Sequence, residues 1–125
     1  MFSHVMLGAN DIQASKTFYD ATFKTLGYSE GFVDPKGRCF YRTDTGSFAI
    51  TKPINGEAAC HGNGSTIGFS AKSEEVVNAW HAAGIANGGT TCEDLPGIRE
   101  MGSIKLYLAY LRDPSGNKLC ALYKL

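Results

Sequence analysis

Two stretches of alternating apolar and polar residues, one at the start of the chain and one near its middle, predict two equivalent β-strands. In the first, Val5 and Leu7 fall on one face and His4 and Met6 on the other. The second stretch, residues 65–71, alternates in the same way. Because successive side chains of a strand point to opposite faces, each stretch is typical of a strand with one buried face.

Each predicted strand leads into a segment whose apolar residues recur at helical spacing. Asp11 and Ser73 stand at the starts of these segments, where a short polar side chain can accept a hydrogen bond from a free backbone N–H. Phe18 and Trp80 follow the two caps at the same distance and lie on the apolar faces. The pattern therefore predicts two equivalent amphipathic helices.

Each half of the chain ends in a pair of strands joined by a tight turn. The motif Asp-Pro-Ser-Gly-Asn at residues 113–117 stands beside an apolar run, and Asp-Thr-Gly-Ser at residues 44–47 is a weaker copy in the first half. Gly46 and Gly116 mark the turns, because glycine adopts positive φ without steric cost. The unit of one strand, one helix and three strands thus occurs twice, which indicates an internal repeat.

The repeated unit predicts an α+β fold with a single domain over residues 1–125. Module one covers residues 1–54, a glycine-rich linker covers residues 55–64, and module two covers residues 65–125. A second irregular segment, residues 94–103, interrupts module two and is expected to form a lid or a pocket rim.

Composition and charge exclude several classes of function. The hydrophobic content of 43% is enough for a full core. Twelve basic and twelve acidic side chains cancel, so we expect neither a nucleic-acid partner nor an anionic membrane surface. The chain contains no apolar run long enough to span a bilayer, and its first residues do not resemble a signal peptide. The four cysteines lack paired spacing, which favours reduced thiols and a cytoplasmic location.

The repeat and its motifs resemble the vicinal oxygen chelate superfamily, which includes glyoxalase I, bleomycin-resistance proteins, fosfomycin-resistance enzymes and extradiol dioxygenases. The resemblance covers essentially the whole chain. It depends on the first strand with His4, the pair Phe18-Tyr19 after Asp11, and the hairpin at residues 113–117. It implies two βαβββ modules packed edge to edge, whose strands form one curved, cup-shaped mixed sheet. It also implies a homodimer.

Enzymes of that superfamily hold a divalent metal in the cup through up to four side chains, two from each module. The first-strand positions match His4 and, through the repeat, Thr66. Four residues beyond the turn glycines, the last-strand positions match Ile50 and Cys120. Isoleucine is not a metal ligand and threonine is a poor one, so at most two of these four side chains suit Zn²⁺. We therefore expect no metal cofactor.

The resemblance and the apolar strand residues together predict that the cup binds a small apolar or aromatic molecule, as in proteins of the bleomycin-resistance type. The residues expected to line this site are His4, Met6, Phe48, Ile50, Thr66, Tyr110, Cys120 and Leu122. The alternative is a lyase or isomerase of the glyoxalase type, in which His4 is the candidate catalytic residue, as a general base or a metal ligand. Arg42 and Arg112 end matching strands and are expected to brace the turns.

Overall fold

The computed structural model describes residues 1–125 and confirms a mixed α+β architecture of two related modules, which is βαβββ in the first and βαββββ in the second, where one strand is divided into two. In chain order the elements are β1 (His4–Gly8), α1 (Ile12–Thr25), β2 (Phe32–Val33), β3 (Cys39–Arg42), β4 (Ser47–Thr51), β5 (Ile67–Ser70), α2 (Glu74–Ala86), β6 (Thr90–Thr91), β7 (Gly97–Met101), β8 (Ile104–Arg112) and β9 (Lys118–Lys124). Neither helix is both long and apolar enough to cross a bilayer.

Both helices begin at the caps that the sequence predicts. Asp11 Oδ1 accepts a hydrogen bond from Ala14 N at 3.0 Å, and Ser73 Oγ accepts one from Val76 N at 3.2 Å. Just beyond the end of α1, Gly27 has a φ of 89°, the left-handed conformation that commonly stops a helix. Local sequence signals therefore set where the helices start and where α1 stops.

The strands form two sheets, one from each module. In the first sheet the order is β1-β4-β3-β2, with β1 parallel to β4. In the second sheet the order is β5-β9-β8, with β5 parallel to β9, and both β6 and β7 pair along the remaining edge of β8. Within one chain the two sheets do not hydrogen-bond to each other. β1 and β5 are therefore edge strands, each with one free edge.

The two hairpins differ by one residue in turn length, and this difference corrects the predicted alignment of the modules. The turn between β3 and β4 contains four residues (43–46), whereas the turn between β8 and β9 contains five (113–117). Ala49, not Ile50, is therefore the equivalent of Cys120. A shift of one residue moves a side chain to the opposite face of the sheet.

The corrected register places Ile50 and Phe48 on the side of the first sheet that faces α1. Ile50 is fully buried in the core. Phe48 pairs with Val5, and its ring packs against that of Tyr19 with the two centroids 4.8 Å apart. The expectation that these two side chains line a cup together with Met6 is therefore wrong.

One hydrophobic core joins the two modules, with α1 and α2 packed against each other inside it. Gly84 allows this close approach, since a Cβ at this position would lie 2.3 Å from Leu111 Cδ1 and 3.1 Å from Phe18 Cε2. Aromatic rings also cross between the modules, with Phe69 of β5 lying 5.0 Å from Phe23 of α1 between centroids. The modules therefore share one hydrophobic core.

The Asp-Pro-Ser-Gly-Asn turn fixes module two to module one. Asp113 is buried, and its Oδ2 accepts a hydrogen bond from Tyr19 Oη of α1 at 2.6 Å. Its Oδ1 accepts bonds from the backbone N–H groups of Ser115 and Asn117, both at 2.9 Å. Asn117 Nδ2 donates to Gly8 O at the end of β1, also at 2.9 Å. Burial and the neighbouring carboxylate raise the pKa of Tyr19, which keeps this phenol a donor.

Candidate ligand-binding site

Each sheet has one face against the helices and one face turned away from them, which we call the outer face. On the outer face of the first sheet, His4 and Met6 of β1 are exposed, as the alternation predicts. On β3 of the same sheet, the Phe40 ring lies between the guanidinium groups of Arg38 and Arg42, which are 5.2 and 5.3 Å from its centroid. This face therefore combines apolar side chains with positive charge.

The two arginines that end matching strands have different surroundings. Arg112 Nη1 donates a hydrogen bond to Gly116 O at 2.8 Å, so it braces the turn as expected. Arg42 is exposed, stacks on Phe40 and forms no salt bridge or side-chain hydrogen bond. Of the two, only Arg42 has a guanidinium group free to meet an anion.

On the outer face of the second sheet, Tyr110, Cys120 and Leu122 form a continuous patch, which we call the Tyr110–Leu122 patch. Tyr110 of β8 pairs directly with Cys120 of β9, and Leu108 pairs with Leu122. Cys120 and Leu108 are buried although they lie on the outer face, while Tyr110 and Leu122 are half-buried. Burial raises the pKa of the Cys120 thiol to about 11, so at neutral pH it is a protonated apolar group and not a nucleophile.

Phe48 and Thr66 line a separate cleft of about 750 Å³ between the modules. The cleft is bounded by β1, the turn between β3 and β4, and β5, and the rings of Phe23 and Phe69 form part of its wall. No acidic or basic side chain lines it. The cleft is therefore apolar with hydroxyl groups at its rim, and it offers a second place for an uncharged ligand.

The structure distributes the eight predicted lining residues over four places. His4 and Met6 lie on the outer face of the first sheet, Tyr110, Cys120 and Leu122 lie on that of the second, Phe48 and Thr66 line the cleft, and Ile50 is in the core. Within one chain these residues do not form a single site.

The irregular segment of module two is shorter than predicted. The range 94–103 contains β7 and a tight turn, and the stretch without regular structure is residues 92–96, which we call the edge loop. Arg99 Nη2 holds this loop by donating to two of its carbonyl oxygens, at 3.1 and 3.0 Å. Arg99 therefore braces the edge loop.

Sequence reasoning missed two charged contacts on the outer faces. One is the stacking of Arg38 and Arg42 on Phe40, and the other is the pair formed by Lys118 with Glu93 of the edge loop. The alternation of β9 could have found Lys118, since it lies two residues before Cys120 and must share its face. Glu93 comes from irregular chain, where no periodicity places a side chain.

The comparisons with known proteins agree with this fold. The profile of the Glyoxalase/Bleomycin resistance protein/Dioxygenase superfamily matches residues 1–121. The chain belongs to this superfamily. A search among curated proteins finds no significant match to the sequence.

Solved structures support the assignment to the glyoxalase superfamily. A glyoxalase/bleomycin resistance protein from Albidiferax ferrireducens T118 is 62% identical, with 98% of each chain covered and a TM-score of 0.94. A glyoxalase-related enzyme from Fulvimarina pelagi is 21% identical, with 98% of this chain and 86% of that chain covered and a TM-score of 0.73. Lactoylglutathione lyase from Agrobacterium tumefaciens is 20% identical, with 98% and 92% covered and a TM-score of 0.67. The last two show the fold alone.

The residues at the metal-ligand positions of the glyoxalase superfamily do not fit a metal ion. With the corrected register these positions are His4, Ala49, Thr66 and Cys120. Alanine has no donor atom and threonine is a poor ligand, which leaves only His4 and Cys120 as possible ligands, one fewer than the usual catalytic three. Nowhere in the chain do three or more His, Cys, Asp or Glu side chains lie close enough together to hold a metal ion.

Proposed function

We propose that this protein binds a small apolar or aromatic molecule on the outer faces of its sheets, without the metal that enzymes of the superfamily use. The observation that carries the proposal is the Tyr110–Leu122 patch, where an aromatic ring and aliphatic groups surround a protonated thiol. A patch of this kind offers dispersion and hydrophobic contacts and contains no group suited to nucleophilic attack at neutral pH.

The proposal includes a homodimer, in which the free edge of β1 in one copy adjoins β5 of the other. That arrangement brings the outer face with His4 and Met6 beside the Tyr110–Leu122 patch of the partner copy, and together they form the cup. A reducing, cytoplasmic location is also part of the proposal, because all four cysteines are free thiols.

Calorimetric titration with 2-naphthamide, a neutral aromatic probe, tests this function. Leu122→Trp fills the Tyr110–Leu122 patch and is expected to weaken binding about tenfold, which corresponds to about 1.4 kcal/mol. Thr45→Trp is the matched control, since Thr45 is an exposed turn residue that lines only the cleft between the modules. The control is expected to bind as the wild type does.

The reverse result, in which only Thr45→Trp weakens binding, would move the ligand to the cleft and contradict the proposed site. The enzymatic alternative is tested in the same titrations by analysing the recovered compound by mass spectrometry. Conversion that is lost in His4→Ala would establish His4 as a catalytic residue and replace the binding function. His4 is exposed, and its Nδ1 lies 2.8 Å from Ser3 Oγ.

A further inference from the structure

The edge loop lies beside the Tyr110–Leu122 patch. It contains more residues than a regularly paired strand would need to span the same part of β8. Thr91 pairs with Leu111 and Gly97 pairs with Leu108, so five loop residues pass only the two residues of β8 that lie between these pairs. The three extra residues form a large irregular bulge at the edge of the sheet. Bulges of this kind redirect a side chain, and here the redirected side chain is that of Glu93.

Glu93 is held over the outer face in an unusual conformation. Its φ of 56° makes it the only residue other than glycine with a positive φ in the chain. Its carboxylate forms a salt bridge with Lys118 Nζ, which in turn lies 4.9 Å from the centroid of the Tyr110 ring. The side chain of Glu93 is 47% exposed and that of Lys118 only 23%, so the cation is the more enclosed partner.

The arrangement of Lys118 and Tyr110 matches the two parts of an aromatic carboxylate. The ammonium group pairs with a carboxylate, and Tyr110 with the neighbouring Leu122 provides a flat apolar surface beside it. Glu93 already places one carboxylate on Lys118, and its side chain is 47% exposed, so it can turn into solvent without disturbing the core.

We propose that Lys118 and Tyr110 form a subsite for an aromatic carboxylate, and that Glu93 occupies the anion position until the ligand's carboxylate displaces it. The inference rests on the proposed function and specifies its ligand class. Arg99 keeps the edge loop in place during this exchange, because it bonds to loop carbonyl oxygens and not to Glu93.

The test compares calorimetric titrations of 2-naphthoate and 2-naphthamide, which have similar shape and differ in charge. In the wild type, 2-naphthoate is expected to bind more tightly. Glu93→Gln removes the competing carboxylate and is expected to strengthen 2-naphthoate binding about three- to fivefold, the range of a partly exposed ion pair, with no change for 2-naphthamide. Lys118→Gln is expected to abolish the preference for the carboxylate.

A second lysine–glutamate pair on the same sheet supplies the controls. Lys105 Nζ lies 3.5 Å from Glu100 Oε1, and both side chains are exposed. Glu100→Gln and Lys105→Gln change the net charge by the same amounts and are expected to leave both affinities unchanged. Equal affinities for the two probes in every variant would overturn the inference and leave the binding function standing. Failure of both probes to bind the wild type would overturn the inference and the proposed function together.

Discussion

The buried carboxylate of Asp113 accepts four hydrogen bonds, which explains why its turn is the clearest sequence motif of the chain. Its oxygens accept from Tyr19 Oη, from two backbone N–H groups of its own turn and from Asn117 Nδ2. In module one the position of Asp113 is taken by Thr43, and the neighbouring Asp44 is exposed and accepts no hydrogen bond. The motif thus signals a junction between modules as well as a turn.

Asp113→Ala is therefore expected to lower the free energy of unfolding by about 2–4 kcal/mol, because it leaves several buried donors without a partner. Asp44→Ala is the matched control and should change it by less than about 0.5 kcal/mol. Urea unfolding followed by circular dichroism measures both. Equal effects of the two substitutions would show that the junction does not depend on Asp113.

At the scale of elements, local sequence signals predict the faces of β1 and the starts of both helices. The alternation of β1 places His4 and Met6 on the outer face correctly, and the cap residues locate both helix starts. The prediction fails where the face on which a side chain lies depends on how its strand pairs with the neighbouring strand. Counting from the turn glycines matches Ile50 to Cys120. Because the first turn is one residue shorter than the second, Ile50 instead faces the core.

The packing of α1 on α2 depends on a residue that helix propensity alone would disfavour. Gly84→Ala should gain about 1 kcal/mol from propensity, but the new methyl group would lie 2.3 Å from Leu111 Cδ1. Overpacking outweighs this gain, and we expect a net loss of about 1–2 kcal/mol in the free energy of unfolding. Gly68→Ala is the control, since no atom lies within 4 Å of its added Cβ. A stabilised Gly84→Ala protein would contradict the close packing of α2 against Leu111 of β8.

At the scale of the whole molecule, the two free edges explain why one chain does not form a complete cup. β1 and β5 each pair on one side only, and five of the eight predicted lining residues are divided between the two outer faces. The sequence places the side chains on each outer face by strand alternation, and the proposed dimer would bring the two faces together. An exposed, unpaired edge is a template for pairing with another chain, so natural proteins cover such edges.

The interface of the predicted dimer would cover apolar side chains that are exposed to solvent in a single chain. Phe2 is 71% exposed beside the start of β1, and Met6 on β1 is 38% exposed. Phe2→Lys combined with Met6→Lys places charge at this edge and is expected to convert a dimer into a monomer in sedimentation-velocity runs at the same concentration, because unpaired charges at an interface are costly. Ile54→Lys, in a fully exposed position near the linker, should leave the dimer intact. A wild-type protein that sediments as a monomer would exclude a cup shared between copies and would require the ligand to bind within one chain.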